Sequence, residues 1–439
     1  MLPNYLFRRV DNAPLIFFRI AFGLLLAWHA FSEIFDGTVT KLYISPKYFF
    51  PFIGFEWVKP LPGSGMYWYF GIMGVAALGV ALGLAYRYSL AVLTLLFTGA
   101  YLMQKVIYNN HHYLVLLLCL MLLIMPANRY ASLDVHLNPK LKRYSMPNWC
   151  RLLILLQVGI VYFYAAVAKF YPGWIDGSFT GILMSRHRNP AHAFITQQHW
   201  FHLILAWGGL LFDLLIVPVL LYRRTRTIGM LAMLGFHLFN AMSLHIGIFP
   251  FLSLSMLCFF YPPDEVRRWV FPKKPPIPEE EFRLNAPANA NHLVKYVLVP
   301  YVLIQLLLPL RHFVIPGNVF YTEEGHRLSW RMKLYHQAGD LAIYVLPKGN
   351  AVKEKIALEK YFLPWQRTRI VNHPDMLWQA AKYIKEDYAE RGVEVAVYVH
   401  ANVAVNRDPK RPIIRPEVNL AAAEWFYFSH CPWIVKNDE

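Results

Sequence analysis

Charge is scarce in this chain. Only 16% of its 439 residues are Asp, Glu, Lys or Arg, against 56% hydrophobic residues, and the mean hydropathy is positive. So little charge excludes an ordinary soluble domain and points to a protein that crosses a membrane several times. Acidic residues are the rarer sign, 27 against 43 Lys plus Arg, which leaves a formal charge of +16. In a soluble protein that excess would suggest nucleic acid. Here basic cytoplasmic loops account for part of it, and no nucleic-acid partner is expected. Cysteine is nearly absent: Cys119, Cys150, Cys258 and Cys431 have no metal-ligand spacing and no evident pairing, so neither a metal site nor an essential disulfide is expected. No cleavable leader is expected either, because Arg8 and Arg9 precede an apolar run of full spanning length that reads as a retained first helix.

A membrane-crossing helix needs about 20 apolar residues. Nine segments are candidates, near 14–34, 66–85, 88–106, 112–126, 151–170, 201–221, 227–244, 247–261 and 293–310, the fourth and eighth being short. After residue 310 the pattern changes. LAIYVL and VEVAVYVHANVAV alternate like strands, and HPDMLWQAAKYIKEDYAERG between them reads as an amphipathic helix ending at a glycine. FPKKPPIPEEEF, 271–282, reads as a polar linker. The predicted fold class is a multi-pass α-helical membrane protein with about nine transmembrane helices. Residues 1–310 form the helical domain and residues 311–439 a C-terminal extracytoplasmic α+β domain. Positive charge sets this orientation. With a cytoplasmic N-terminus, Arg8, Arg9, Arg87, Arg129, Lys140, Lys142, Arg143, Arg223, Arg224 and Arg226 fall inside, and the outer loops carry fewer, among them Arg186 and Arg188.

Three separated motifs then meet at the outer ends of their helices. They are YNNHHY at 108–113, AAVAKFYPGW at 165–174 and GFHLFN at 235–240. Together they place Asn110, His111, Lys169 and His237 at one depth beneath the C-terminal domain. Ionisable groups in a membrane are costly and face a cavity or a partner. Each has a plainer reading. A lysine at a helix end snorkels to the headgroups, a histidine hydrogen-bonds a neighbouring helix, Asn109 and Asn110 suit a helix cap, and Arg19 in the first helix reads as structural. The joint occurrence carries the functional reading. A buried lysine loses its preference for the ammonium form, and as a free amine it takes a proton from a substrate hydroxyl. A pocket facing lipid suits an apolar substrate such as a quinol.

These motifs, with GLAYRYS at 83–89, resemble the vitamin K-dependent γ-glutamyl carboxylases and their bacterial relatives. LLLPLRHFVIPGN at 306–318, LSWRM at 328–332, HPDMLWQAA at 373–381 and RPEVNLAAAEW at 415–425 resemble that family's external domain, so the likeness covers most of the chain. It implies an enzyme that uses reduced vitamin K (phylloquinol or menaquinol), dioxygen and carbon dioxide, without a metal, to turn peptidyl glutamate into γ-carboxyglutamate as the quinol becomes an epoxide. By resemblance Lys169 is the base that deprotonates the quinol, and Asn110, His111 and His237 orient it and stabilise developing oxyanions. Trp330, His326, Tyr335 and His312 are implied on the side of the glutamate-containing peptide or protein, and membrane lipids are the other partner. The chain departs from the animal members in having Ala168-Lys169 for a lysine pair, Gly325-His326 for Leu-Tyr and Tyr335 for a histidine, and it lacks a cysteine in its first external loop. The substitutions around Trp330 support an alternative, a quinol epoxidase without peptide carboxylation. A transporter is a third reading, but neither inverted repeats nor helices broken in mid-span are evident.

Overall fold

The computed structural model describes residues 2–186, 193–244, 247–283 and 290–438, so Arg188 lies outside the described residues. All nine apolar segments are helical. They are α1 (Ala13–Phe35), α2 (Gly65–Leu82), α3 (Tyr86–Met103), α4 (Asn110–Ile124) and α5 (Asn148–Val167). Then follow α6 (His199–Leu221), α7 (Arg226–Leu244), α8 (Phe249–Ser255, continued by a 3-10 turn to Phe260) and α9 (Ala290–Val314). Helices α1, α2, α5, α6 and α9 are long and apolar enough to cross a membrane, whereas α4 and α8 are shorter.

The helix ends have local causes. Helix α2 stops at Gly83, whose φ of +62° is open to a residue without Cβ. Asp134 then accepts hydrogen bonds from the Ala85 and Tyr86 amides at the start of α3. The Asn109 side chain caps α4 by accepting from the His112 amide at 2.8 Å. Helices α1 and α2 touch backbone to backbone: a Cβ on Gly23 would lie 2.5 Å from the Ala81 nitrogen and 2.7 Å from the Ala77 oxygen. Small residues permit that approach. Arg19, fully buried in α1, donates to the carbonyls of Ala81, Ala127 and Ala131, so it serves the unsatisfied end of α2 and the α4–α5 connection.

The 271–282 linker is docked rather than loose. Lys274 pairs with Asp11 at 2.7 Å, and Glu281 accepts from the Tyr144 and Ser145 amides. Both contacts fasten it to a two-stranded antiparallel sheet of β1 (Arg9–Asp11) and β2 (Ser145–Pro147).

The C-terminal part holds a four-stranded antiparallel sheet. Its long strands, β3 (Gln337–Pro347) and β5 (Val395–Val405), pair from Gln337↔Val405 to Pro347↔Val395. The short β4 (Glu354–Lys355) and β6 (Arg411–Pro412) flank them in the order β4-β3-β5-β6. Every second residue of β5, Val395 through Val405, is buried, as a sheet with one covered face requires. Helix α10 (Pro374–Glu390) supplies Met376, Leu377, Ala380, Ala381 and Ile384 to the same core and is followed by Gly392 at φ +76°. A buried charge cluster joins this part to the helices. Both Lys105 Nζ, in the α3–α4 turn, and Arg327 Nη1 lie 2.6 Å from Asp375 Oδ2. Burial brings the Lys105 ammonium down to about 8. Burial also works against the Asp375 carboxylate, but Arg327 and Lys105 together hold it well below the usual carboxylate range.

Candidate functional site

A cavity of about 990 Å³ opens where the helices meet the C-terminal part. One wall comes from α1 to α4 and α8, the other from residues 323–337 and 368–373. The helical side contributes apolar groups such as Leu42, Phe70, Met73 and Phe97, with Asn110 and His111 at its polar edge. His326 and Tyr335 line the opposite wall.

His111, at the start of α4, stacks on Phe249 of α8 with ring centroids 3.7 Å apart. The other neighbour of Phe249 is His237 of α7, at 5.7 Å and nearly perpendicular. His237 Nε2 is 2.8 Å from the Tyr162 hydroxyl of α5, while its buried Nδ1 has no hydrogen-bond partner among the described residues. The motifs at 108–113 and 235–240 thus meet through one phenyl ring. Lys169 and His237 are not among the residues lining the cavity.

Lys169 follows the end of α5, where Tyr171 and Pro172 turn the chain into a short helix, Pro172–Ile175. It is buried rather than snorkelling. Its Nζ pairs with Asp213 of α6, donates to the Ala165 carbonyl at 3.1 Å and lies 5.1 Å from the Trp174 ring centre. Trp174 is itself anchored by its indole N–H on the Ala206 carbonyl at 2.8 Å. Asp213 is not among the residues the sequence motifs single out, although it is the single acidic residue of a 23-residue helix that is apolar apart from His199 and His202 in its first turn.

Asn110 has a holding role in this geometry. Its amide donates to the Arg331 carbonyl at 2.9 Å, and its oxygen accepts from the Tyr108 hydroxyl at 2.9 Å. Tyr108 in turn accepts from the Leu328 amide at 2.6 Å. The 328–331 segment is thereby hung on the start of α4. Trp330 does not line the cavity; it is 1% exposed, lies 5.0 Å from the Tyr113 ring and belongs to the helical core. His312 is fixed by the Pro309 carbonyl at 2.8 Å and sits behind Arg331. Tyr335 donates to Glu323 and lies 3.4 Å from His326 Nδ1. Burial, with Arg331 and Arg327 adding to it, pushes the His326 imidazole down to about 3 and keeps it neutral.

Among the described residues no cluster of His, Cys, Asp and Glu is arranged to hold a metal ion. The four cysteines are free thiols.

Two families match the chain. The HTTM domain matches residues 7–265, more than half of the chain, and the vitamin K-dependent gamma-carboxylase lumenal domain matches residues 290–439. No solved structure matches it. The first match takes in α1 to α8 and the second takes in α9 and the sheet, so that helices, cavity and C-terminal part all fall within them: the chain belongs to the vitamin K-dependent gamma-carboxylase family.

Proposed function

We propose that the chain is an integral-membrane γ-glutamyl carboxylase that couples epoxidation of reduced vitamin K to carboxylation of peptidyl glutamate, with Lys169 as the base. Dioxygen and carbon dioxide are its co-substrates. In this reading nine helices within residues 1–310 cross the membrane with the N-terminus cytoplasmic. Residues 311–439 lie outside and present the peptide.

The observation that carries the proposal is the buried Lys169–Asp213 pair, set near the Tyr162–His237–Phe249–His111 row that leads to the cavity. An ionisable pair inside an apolar bundle, close to a cavity, marks a functional site. The residues present suit a quinol: the helical wall offers apolar surface to a ring and its tail, and His111 and Asn110 offer polar groups at its edge. Bound hydroquinone supplies, together with dioxygen, a base strength that no side chain has. Lys169 and Asp213 move the first proton. When the ammonium proton passes from Lys169 Nζ to Asp213 Oδ2, the amine regains its lone pair and can accept a hydroxyl proton. Trp174 lies over the Lys169 ammonium, and the pair is buried from water. His111 and His237 orient the ring, and Asn110 holds the wall opposite.

Epoxidation alone is the second reading, favoured by the burial of Trp330 away from the cavity. Purified protein given reduced vitamin K, oxygen, labelled bicarbonate and a glutamate peptide decides between them. Epoxide together with label in carboxyglutamate is the expected result. Epoxide without label in any glutamate peptide tried selects the second reading, and the absence of both products overturns the proposal.

A further inference from the structure

Arg331 is only 6% exposed and lines the cavity, and its Nε and Nη2 have no hydrogen-bond partner among the described residues. Its remaining group, Nη1, is 3.4 Å from His312 Nε2, and the guanidinium lies 4.8 Å from the Phe320 ring centre. Arg327, four residues earlier, is the contrast: its two terminal nitrogens both bind Asp375, at 2.6 and 3.2 Å. Glu323 acts on Arg331 electrostatically but is not bonded to it, and its Oε1 is already taken by the Tyr335 hydroxyl and by Gln337 Nε2. Arg331 therefore keeps a buried cation with one edge of its donor fork unused. Leaving such donors unmatched is costly, and a planar group with two anionic oxygens satisfies both at once.

The backbone that carries Arg331 is itself held in place. Trp330 and Lys333 on either side have φ of +59° and +46°, conformations that side chains seldom adopt. Asn110 holds the Arg331 carbonyl, and the Tyr171 hydroxyl, two residues beyond Lys169, donates to the carbonyl of Leu334. Strain held in place by several neighbours is typical of a binding site. Lys333 and Arg369 add positive charge to the same cavity wall.

We infer that Arg331 binds the side-chain carboxylate of an acidic residue in a peptide substrate through Nε and Nη2, and so selects glutamate over its amide. The identification of that residue as the glutamate to be modified rests on the carboxylase reading. The recognition of a carboxylate does not.

The test uses the full chain in detergent and two peptides that differ only by glutamate or glutamine at one position. Direct binding is measured by fluorescence anisotropy for the unaltered protein, Arg331→Gln and Arg331→Lys, each first shown to melt like the unaltered protein. The unaltered protein should prefer the glutamate peptide by about tenfold or more, the worth of a paired charge-assisted contact. Arg331→Gln should abolish the preference and Arg331→Lys should keep only part of it. Should Arg331→Gln fail to fold, the partial loss in Arg331→Lys carries the test. A preference that survives Arg331→Gln, or is missing from the unaltered protein, overturns the inference. With turnover available, the KM for the glutamate peptide should rise in Arg331→Gln while kcat changes little. If the unaltered protein makes neither epoxide nor carboxyglutamate, the carboxylase reading falls, and the binding preference still decides the role of Arg331.

Discussion

Lys169 is expected to be needed for both products. Its replacement by alanine should lower epoxide and carboxyglutamate formation together, by about 10²–10⁴-fold for loss of a positioned base. Lys169→Arg should fail as well, because a guanidinium stays protonated and cannot accept a proton. Asp213→Asn preserves shape but removes the acceptor for the ammonium proton, so it should lower both products in parallel. Full epoxidation by any of the three would end the assigned role. Trp330 is a different kind of residue. Its burial against Tyr113 predicts that Trp330→Ala costs about 3–5 kcal/mol of stability. A thermal melt of that variant in detergent checks this, and an unchanged melting temperature would contradict the packing role. In the sequence Trp330 stood beside His326 and Tyr335 as one substrate-facing group. Only the fold separates them, turning Trp330 into the helical core and the other two towards the cavity.

Among the elements, the helices were the most legible. Apolar runs end where glycine, proline or a capping asparagine ends them, and these signals are local, so each helix lies within a few residues of its expected limits. The period-2 pattern of VAVYVHANVAV was equally local. What could not be read was how elements touch. The α1–α2 contact depends on Gly23 meeting Ala77 and Ala81, and nothing in either helix alone names its partner. Gly23→Val should therefore destabilise the bundle by about 1–3 kcal/mol, the usual cost of overpacking. The same change at Gly71, where an added Cβ meets nothing, should cost less. A comparison of the two melts tests the contact. The linker at 271–282 shows the same limit: its prolines and charges look like a tether, yet Lys274 and Glu281 find partners more than a hundred residues earlier.

On the scale of the whole molecule, the C-terminal part and the α3–α4 turn share one charge cluster, and its chemistry predicts acid sensitivity. Asp375 is held below its ordinary value, so its stabilising effect is present above about pH 4 and fades as pH falls. His326 is kept neutral down to about 3, so the unfolded chain takes up a proton first, from about pH 6.5 downward. Glu323, Tyr335, Arg327, Arg331 and His312 are its neighbours, and the two arginines oppose its protonation. Melting temperature should fall as pH is lowered from 6.5 to 5, because His326 removes up to about 1.4 kcal/mol of stability per pH unit. Below pH 4 it should fall faster, and His326→Asn should flatten the upper part of the curve. A profile that is flat from pH 7 to 4 would contradict this. The proposed orientation is tested by cysteine labelling in intact cells: a cysteine placed in the exposed turn at Gly349 should react with an impermeant reagent. Reaction only after lysis would reverse the topology.

Composition and periodicity alone determined that the chain is rich in apolar helices, that its character changes after residue 310 and that its polar motifs recur at helix ends. These properties depend on neighbours in sequence. Tertiary structure decided the partners. Lys169 meets Asp213 across 44 residues, Asn110 meets Arg331 across 221, and Phe249 comes between two histidines on different helices. Such pairings depend on the rotation and depth of each helix in the bundle, which packing sets and no single segment encodes.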